Sequence, residues 1–524
     1  MPSRFKSVKR RFLISLAGNG IRAGASFSAG VLVARGLGAR SFGELAFLVA
    51  GFSSLRPLLD LGTSTAFFTF ISRKGRLGPR FQLYLGWLSV QFILVLSVIV
   101  LLPPWAYGRF WFGYPRALVI LAFVACFVQM QAWSTVTQIG ESRRETLTMQ
   151  ILSASIALTH LGLVGWLVVG RLLSVPAVFY CLLGEYAVAV CVGGWLLSRH
   201  QGEAATDNLP AESFGAAARA YGSYCQPLVL SAIAGAAFGY GDCWMLQRFG
   251  GAVSQGLYQA AYQFAAISLF ATTSILQVFW KELSDAFGRG DMERLKRLYA
   301  RVSKGVVVAG AAVSGLLIPW SNEIVRAMLG PSFEGSGVVL ALLFLYPVFQ
   351  ALGQVSSTLA FATGETGIFG KVTVFFTMIS LMLSYLLLAP VDNAPIPGLG
   401  MGALGLAIKT VGLNIVSVNT MNWLLARRHN WRFEWTYQLL ALATSLPLGF
   451  AVKWGIASVW HPAEISMHTL IGPLLLAAAL FVPAQMAIIY LYPALVGSTR
   501  EELRSYLRSL VRVAGGFFLH ERQT

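Results

Sequence analysis

Three basic side chains lie inside long apolar stretches of the sequence, where ionised groups are rare. They are Arg22, Arg56 and Lys409. An unpaired arginine at the centre of a bilayer costs about 2.5 to 3.5 kcal/mol on insertion scales, so each side chain is expected to face protein or a wet cavity. A guanidinium forms forked hydrogen bonds with phosphate oxygens, and water-poor surroundings strengthen them. These residues therefore predict a substrate-binding cavity for an anion.

A structural role is the alternative for each of these bases. Arg56 and Asp60 are four residues apart on one helix face and would neutralise each other as a buried ion pair. Arg22 would be hydrogen-bonded by Asn19 or by other polar neighbours. Lys409 is nearer the outer surface, where its side chain would extend towards the interface. Both interpretations stay open for all three bases.

Three acidic residues, Asp60, Glu185 and Asp242, also lie within apolar segments. A buried carboxylate that gains a proton or binds a cation loses its charge, and this change favours one helix arrangement over another. We therefore expect a coupling-ion or proton site among them, driven by an H+ or Na+ gradient or by the membrane potential. The alternative is an ion pair with an intramembrane base. His160 is a further titratable group, although a single histidine on an apolar helix is more often a packed, hydrogen-bonded residue.

Amide side chains interrupt two further apolar segments. Gln129 and Gln131 lie in one of them, together with several hydroxyl side chains, and Asn414 lies in the other. Amides and hydroxyls suit the hydroxyl groups of a sugar, so these residues predict a sugar path. The same groups also join membrane helices through hydrogen bonds, which is the alternative.

The sequence lacks the motifs of common enzyme active sites and metal centres. Residues 400–405 satisfy G-x-G-x-x-G, but they begin an apolar segment without a preceding strand, so helix packing explains them better than dinucleotide binding. No H-E-x-x-H or Walker A motif occurs, and the five cysteines have no metal-ligand spacing. We expect no catalytic residues, no metal and no cofactor.

The composition is that of a membrane protein. Apolar residues make up 56% and charged residues 12% of the 524 residues. Because a helix needs about 20 mostly apolar residues to cross a bilayer, the sequence predicts an all-α polytopic protein with about 14 transmembrane helices. Lys and Arg are concentrated in alternate loops, which predicts cytoplasmic N- and C-termini and explains most of the net charge of +18. These loops suit anionic membrane lipids, and no basic stripe with exposed aromatics suggests nucleic acid.

A parallel repeat divides the chain. The motif GARSFG at residues 38–43 returns as GAVSQG at residues 251–256, and two further pairs of matches follow in the same order at nearly the same offset. Repeats of several spans are typical of transporters, with the substrate path between the halves. The predicted segments are an N-lobe of six spans (1–198), a cytoplasmic linker (199–220), a C-lobe of six spans (221–427), an appended pair of spans (428–497) and a cytoplasmic amphipathic tail (498–524).

Two stretches near the cytoplasmic side have apolar residues at helical spacing between basic residues. One is residues 281–304, which we expect to form a helix lying on the inner membrane face. The other is the tail, where Thr499 and Glu502 predict a capping box at the start of a helix.

Several segments resemble the multidrug/oligosaccharidyl-lipid/polysaccharide (MOP) exporter superfamily, and within it the polysaccharide transport branch that includes O-antigen flippases. The resemblance covers most of the chain and rests on residues 34–43, 59–64, 242–246, 256–262 and 397–405. It implies a V-shaped protein of two lobes that works by alternating access. It further implies a flippase, rather than an enzyme, that moves an undecaprenyl-pyrophosphate-linked oligosaccharide from the inner to the outer leaflet.

The resemblance also implies a location and partners. The location is the cytoplasmic (inner) membrane, and the partners are the lipid-linked oligosaccharide, membrane lipids, and the polymerase and export machinery for lipopolysaccharide or exopolysaccharide. Two transporters of the same superfamily are alternatives: a cation-coupled multidrug antiporter, and a peptidoglycan lipid-precursor flippase. A membrane-bound polymerase or ligase is disfavoured by the parallel repeat and the short external loops.

Overall fold

A computed structural model of the chain shows α-helices and no β-strand in the part that it describes. The described residues are 2–74, 79–143, 145–199, 213–267, 279, 282–392, 395–460 and 465–505.

The helices follow one another along the described chain. Those of the first part of the chain are α1 (Pro2–Asp60), α2 (Thr63–Lys74), α3 (Pro79–Leu101), α4 (Pro104–Trp111), α5 (Arg116–Phe127), α6 (Trp133–Ser142), α7 (Thr146–Val169), α8 (Val175–Arg199), α9 (Phe214–Cys225) and α10 (Val229–Met245). Those of the second part are α11 (Gly251–Ile267), α12 (Met292–Leu317), α13 (Ser321–Leu329), α14 (Ser336–Leu343), α15 (Tyr346–Ala362), α16 (Thr366–Leu388), α17 (Gly402–Arg428), α18 (Thr436–Ala457) and α19 (Met467–Leu491). Two π-helices, Val128–Ala132 and Leu246–Gly250, follow α5 and α10.

Eleven helical segments of the described chain are long and apolar enough to cross a membrane. One of them, Gly18–Asp60, covers parts of two of the spans predicted from the sequence, which meet at Gly38. Large apolar side chains are widely exposed on these helices, for example Leu101 at 77% and Val169 at 86%. Such a surface suits lipid, so the chain is an all-helical, multi-pass membrane protein. The number of fourteen spans stays a prediction.

Both copies of the repeat bend the backbone in the same way. Gly38 has φ 72° and ψ 170°, and Gly251 has φ 70° and ψ −179°. A positive φ with an extended ψ is essentially restricted to glycine. A second matched pair follows in each half, because Gly113 has φ 80° and Gly330 has φ 86°. The matched glycines thus have the same local conformation, while the repeat of several spans stays a prediction.

The described residues form two compact units. The first contains the chain up to Gln259 together with Leu381–Ala403, and the second contains Ala260–Ser380 together with the chain from Leu404 onwards. In the first unit α1 packs against α7 and α10, whereas in the second α12 packs against α15 and α18. The lobe, linker and tail limits derived from the repeat stay a prediction.

Within the first unit, the two copies of the repeat motif contact each other. A Cβ atom on Gly43 would lie 1.7 Å from the carbonyl oxygen of Ala252, and one on Gly256 would lie 2.0 Å from that of Ala39. The contacts are reciprocal, since each glycine meets the backbone of the equivalent segment in the other copy. Glycine at both positions therefore allows the helix backbones to approach more closely than any side chain would permit.

One amphipathic segment differs from the prediction. Of the described residues in this stretch, 282–288 are helical and are followed by a turn, and α12 then runs from Met292 through Leu317, so no single helix covers the stretch. Leu295 is fully buried, and it packs with Leu298 and Tyr299 into an apolar cluster of the second unit. The cluster also contains Leu283, Val355, Leu359 and Leu425. The apolar stripe contacts protein, and helical spacing alone does not distinguish protein from lipid.

The predicted capping box is confirmed. The backbone N–H of Glu502 donates to Thr499 Oγ1 at 3.3 Å, and the backbone N–H of Thr499 donates to Glu502 Oε2 at 3.1 Å. Hydrogen bonds from Thr499 and from Arg301 lower the pKa of Glu502. Residues 506–524 of the predicted tail and 200–212 of the predicted linker lie outside the described residues.

Candidate functional site

Arg22 lies on α1 beside polar groups of two other helices. It is exposed, and at 1.5 Å per residue it is about 24 Å along the helix from the bend at Gly38. Its guanidinium is within electrostatic range of the Tyr186 hydroxyl, which is hydrogen-bonded with Gln129. The Tyr186 ring stands edge-on to Trp133, with 6.5 Å between the ring centroids. A guanidinium, a phenol and an amide therefore converge here.

Arg56 is half-buried on the later part of α1. Its Nη2 donates to Ser134 Oγ at 3.4 Å, and Gln138 Nε2 donates to the same oxygen at 3.5 Å. Arg56 is also within electrostatic range of Tyr84, whose hydroxyl accepts a hydrogen bond from Thr135 at 3.4 Å. The groups that contact the Arg56 guanidinium are thus neutral.

Asp60 makes local hydrogen bonds at the start of α2. Its carboxylate accepts from Thr63 Oγ1 at 3.0 Å, from the Ser64 backbone N–H at 3.0 Å and from Ser64 Oγ at 2.7 Å. This arrangement caps the first turn of α2, whose N–H groups have no helical acceptor. In the part of the chain that is described, Asp60 forms no ion pair with Arg56 within 4 Å. The buried Arg56–Asp60 ion pair, which was the structural alternative for Arg56, is therefore not formed among the described residues.

The π-helix Val128–Ala132 links the surroundings of both arginines. It contains Gln129, which contacts Tyr186, and it is followed by Ser134, which contacts Arg56. A π-helix shifts the register of the side chains that follow it, and such turns are frequent at functional sites. We define the arginine site as Arg22, Arg56, Gln129, Ser134 and Tyr186. It combines two cations with donors and acceptors that suit phosphate and sugar oxygens.

Glu185 and His160 pair between α8 and α7. His160 Nδ1 lies 3.0 Å from Glu185 Oε2 and 3.1 Å from Oε1. The Glu185 side chain is 3% exposed and that of His160 is 18% exposed. Tyr186 is in electrostatic range of Glu185 as well as of Arg22, so the pair borders the arginine site.

The remaining predicted residues lie elsewhere. Gln131 is buried and donates to Gln91 Oε1 at 3.4 Å, and Asn414 donates to the carbonyl oxygen of Tyr346 at 3.4 Å. Asp242 accepts a hydrogen bond of 2.5 Å from Ser384 Oγ. Lys409 is buried on α17 in the second unit. The contacts of Gln131 and Asn414 connect helices, and the roles predicted for all four residues stay predictions.

Two residues of the arginine site are uncharged, so a search for charged residues within the spans does not find them. Tyr186 follows Glu185 directly, and Ser134 is one of several hydroxyl residues in its span. A tyrosine adjacent to a buried carboxylate was the available signal, but aromatic residues are common in membrane helices. No group of three or more His, Cys, Asp or Glu side chains suited to a metal occurs among the described residues.

Comparison with known sequences identifies one family. A sequence profile described as "Polysaccharide biosynthesis protein" matches residues 8–280, which is more than half of the chain. No curated protein matches at a significant level.

Solved structures share the fold at low sequence identity. The lipid II flippase MurJ in an inward closed conformation superposes with a TM-score of 0.65 at 12% identity, covering 91% of this chain and 99% of that chain. An inward-facing multidrug resistance MATE family transporter of the MOP superfamily gives 0.57 at 15% identity, covering 78% and 95%. A MOP superfamily transporter from Pyrococcus furiosus gives 0.54 at 16% identity, covering 81% and 96%.

Proposed function

Because the chain belongs to the polysaccharide biosynthesis protein family, in the polysaccharide branch of the MOP exporter superfamily, we propose that it is a lipid-linked oligosaccharide flippase. Its substrate is an oligosaccharide joined to undecaprenyl pyrophosphate, which it moves from the inner to the outer leaflet of the cytoplasmic membrane. The product supplies surface or exported polysaccharide. The polymerase and export machinery that act on the flipped substrate are the expected protein partners.

The observation that carries this proposal is the lack of anionic partners at the arginine site. Among the described residues, neither Arg22 nor Arg56 has a carboxylate within 4 Å. A guanidinium within a membrane helix retains a strong attraction for an anion when its only contacts are neutral. A pyrophosphate offers several oxygens for forked hydrogen bonds, so one diphosphate suits two guanidinium groups.

The position of the arginine site along α1 suits capture at the inner leaflet. Arg22 is about 24 Å of helix before Gly38, and Arg56 is about 27 Å of helix after it. With the N-terminus in the cytoplasm, as the distribution of Lys and Arg predicts, Gly38 is external and both arginines lie in the inner half of the bilayer. The pyrophosphate of a lipid-linked sugar starts at this depth. The neutral amide and hydroxyl groups of Gln129 and Ser134 are then available to sugar or phosphate oxygens.

Alternating access completes the cycle. The substrate binds while the arginine site is open to the inner leaflet, and a rearrangement of the helices then opens it to the outer leaflet. No bond is made or broken, so the protein acts as a transporter and not as an enzyme. An H+ or Na+ gradient, or the membrane potential acting on the anionic headgroup, supplies the driving force.

Two related functions are the alternatives. A peptidoglycan lipid-precursor flippase also carries a pyrophosphate-linked substrate, and the superposition with MurJ favours it as second candidate. A cation-coupled multidrug antiporter is favoured by the superposition with the MATE family transporter. For a cationic drug, however, two arginines without a carboxylate within 4 Å would be repulsive.

Deletion of the gene in its host tests these functions. We expect lipid-linked oligosaccharide to accumulate in the inner membrane while surface polysaccharide is lost. Wild-type protein should reverse both changes. Arg22→Ala at equal abundance in the membrane should restore less than about a hundredth of the wild-type transport rate, because one charge-assisted phosphate contact is worth about 3 kcal/mol. Arg22→Lys should restore only part, since an ammonium group lacks the forked geometry.

A matched control distinguishes damage to the arginine site from the general loss of one positive charge. Arg432 is exposed outside the spans, and Arg432→Ala should complement like wild type. Unchanged polysaccharide with altered sensitivity to cationic drugs would assign the antiporter. Lysis with accumulated peptidoglycan precursor would assign the other flippase.

A further inference from the structure

Building on the proposed function, we propose that His160 and Glu185 form one proton-binding site, and that its protonation raises the affinity of the arginine site for an anion. The ligand is a proton, and the pair lies beside the residues that would hold the substrate's pyrophosphate.

The geometry of the pair identifies the atoms involved. His160 Nδ1 is within 3.1 Å of both oxygens of Glu185. An ionised carboxylate only accepts hydrogen bonds, so in the proposed pair of ionised Glu185 and neutral His160 the Nδ1 atom carries a hydrogen and donates it. The second ring nitrogen, Nε2, is then the atom that gains or loses a proton. Uptake at Nε2 adds one proton and one positive charge, and no bond between heavy atoms changes.

A proton suits this site better than a metal cation. Hard cations such as Ca²⁺ take six or more oxygen ligands, about 2.3 to 2.6 Å away. The described residues contain no group of three side chains that could hold a metal ion. The Nδ1 atom of His160 already lies within 3.1 Å of both carboxylate oxygens. Imidazole is the side chain whose ordinary titration falls between pH 5 and 8.

The charged and titratable groups around the pair come from several helices. α8 packs against α1, α5, α6, α7 and the π-helix. α1 contributes Arg22, and α8 itself contributes Tyr186 and Cys181, the latter in electrostatic range of Glu185. Of the other two helices, α5 carries Cys126, on which no charged residue acts, and Arg116, which is exposed at its first turn and donates to backbone carbonyl oxygens. α6 carries Glu141, which is exposed. The π-helix adds neutral Gln129.

In this proposal the charge of the pair contributes to the field at Arg22, since Tyr186 lies within electrostatic range of both Glu185 and Arg22. With His160 neutral, the pair has one negative charge, which partly compensates the nearby guanidinium. With His160 protonated, the pair is neutral, and the positive charge of Arg22 acts on an incoming anion without compensation. By reciprocity, a bound anion also strengthens proton binding, and loss of the proton weakens the hold on the anion.

The first experiment tests the pair without any substrate. The full-length protein in detergent, with ¹⁵N-labelled histidine, is titrated by NMR; the signal missing from His160→Gln identifies His160 among the six histidines. We expect the chemical shifts of its ring nitrogens to depend on pH, and we expect that dependence to change in Glu185→Gln. The exposed His468 provides a matched control, because His468→Gln should leave the His160 signal unchanged. A His160 titration that is absent, or that Glu185→Gln does not alter, overturns the proposal.

The second experiment measures the linkage with inorganic pyrophosphate as the probe. When the pH is lowered from 8 to 6, the affinity of the wild type for pyrophosphate should rise. This rise should be at least about fivefold larger than the change measured for His160→Gln. Glu185→Gln should bind pyrophosphate more tightly than wild type at pH 8, because it removes the compensating charge. A purely structural role of the pair predicts no such gain, and Glu141→Gln controls for loss of a carboxylate.

The outcomes distinguish this proposal from the proposed function. Pyrophosphate binding with equal pH dependence in wild type and His160→Gln overturns the proton linkage and leaves the anion site intact. Absence of pyrophosphate binding in wild type, together with unchanged polysaccharide after gene deletion, contradicts the proposed function. In that case the NMR titration still decides whether the pair binds a proton.

Discussion

Lys453 and Arg56 are both cations on helices of a membrane protein, and their partners differ. Lys453 Nζ lies 2.5 Å from Glu323 Oε1 and donates to the carbonyl oxygen of Pro319 at 2.6 Å. Arg56 donates to a serine hydroxyl at 3.4 Å. A buried cation with a carboxylate partner is structurally satisfied, whereas one with neutral partners keeps its attraction for an anion. This contrast, more than the presence of a charge, distinguishes a binding residue from a packing residue.

Arg56 and Asp60 are expected to act independently. Asp60→Ala should lower the free energy of unfolding by about 0.5 to 2 kcal/mol, because α2 loses its cap. Arg56→Ala should reduce transport with little effect on stability, because its long hydrogen bond to Ser134 contributes little. Thermal unfolding and transport of both single variants and the double variant would measure this.

Additivity is the criterion for that independence. The stability changes of the two single variants should sum to that of the double variant within about 0.5 kcal/mol. If instead Arg56→Ala restores the stability that Asp60→Ala has lost, the two residues form an ion pair and the anion-site assignment of Arg56 is wrong.

At the scale of elements, the crossing of the repeat motifs depends on two glycines. Gly43→Ala and Gly256→Ala would each place a methyl group within 2.0 Å of a backbone carbonyl oxygen. We expect either variant to lower the melting temperature and to reduce transport, since forced overpacking costs about 1 to 3 kcal/mol. Fluorescence-detected size exclusion after heating would report the melting temperature.

Gly24 on α1 is the matched control for this crossing. A Cβ there meets nothing within 4 Å, so Gly24→Ala should be neutral or stabilising, because alanine is about 1 kcal/mol better than glycine within a helix. Equal melting temperatures for the Gly43 and Gly24 variants would show that the close approach is not needed for stability.

At the scale of the whole molecule, the distribution of Lys and Arg predicts the orientation. Reporter fusions of alkaline phosphatase would measure it, because that enzyme is active only outside the cytoplasm. Fusions after Gly113 or Glu334 should be active, and fusions after Arg289 or Arg428 should be inactive. The reverse pattern would place the arginine site in the outer half of the bilayer and would contradict capture at the inner leaflet.

Membrane class and helical periodicity follow from the sequence by itself, because they depend on properties that each residue carries independently of its partners. Apolar length decides whether a helix crosses a bilayer. The glycines at 38 and 251 mark positive φ angles that other residues avoid, and Thr499 with Glu502 marks a helix start within three residues. These features are local, and the structure agrees with them.

The pairing of side chains was decided only by the tertiary structure. Which face of a helix meets a neighbour depends on its rotation and crossing, and the sum of many packing contacts sets both. For this reason Arg56 contacts Ser134 while Asp60 caps α2, and the apolar stripe that includes Leu295 packs on protein instead of lipid. The His160–Glu185 pair was partly foreseeable, since α7 and α8 are joined by a short turn and the two residues are nearly equidistant from it. Hydropathy is a property of one residue, but a binding site is a property of several, and helix packing brings them together.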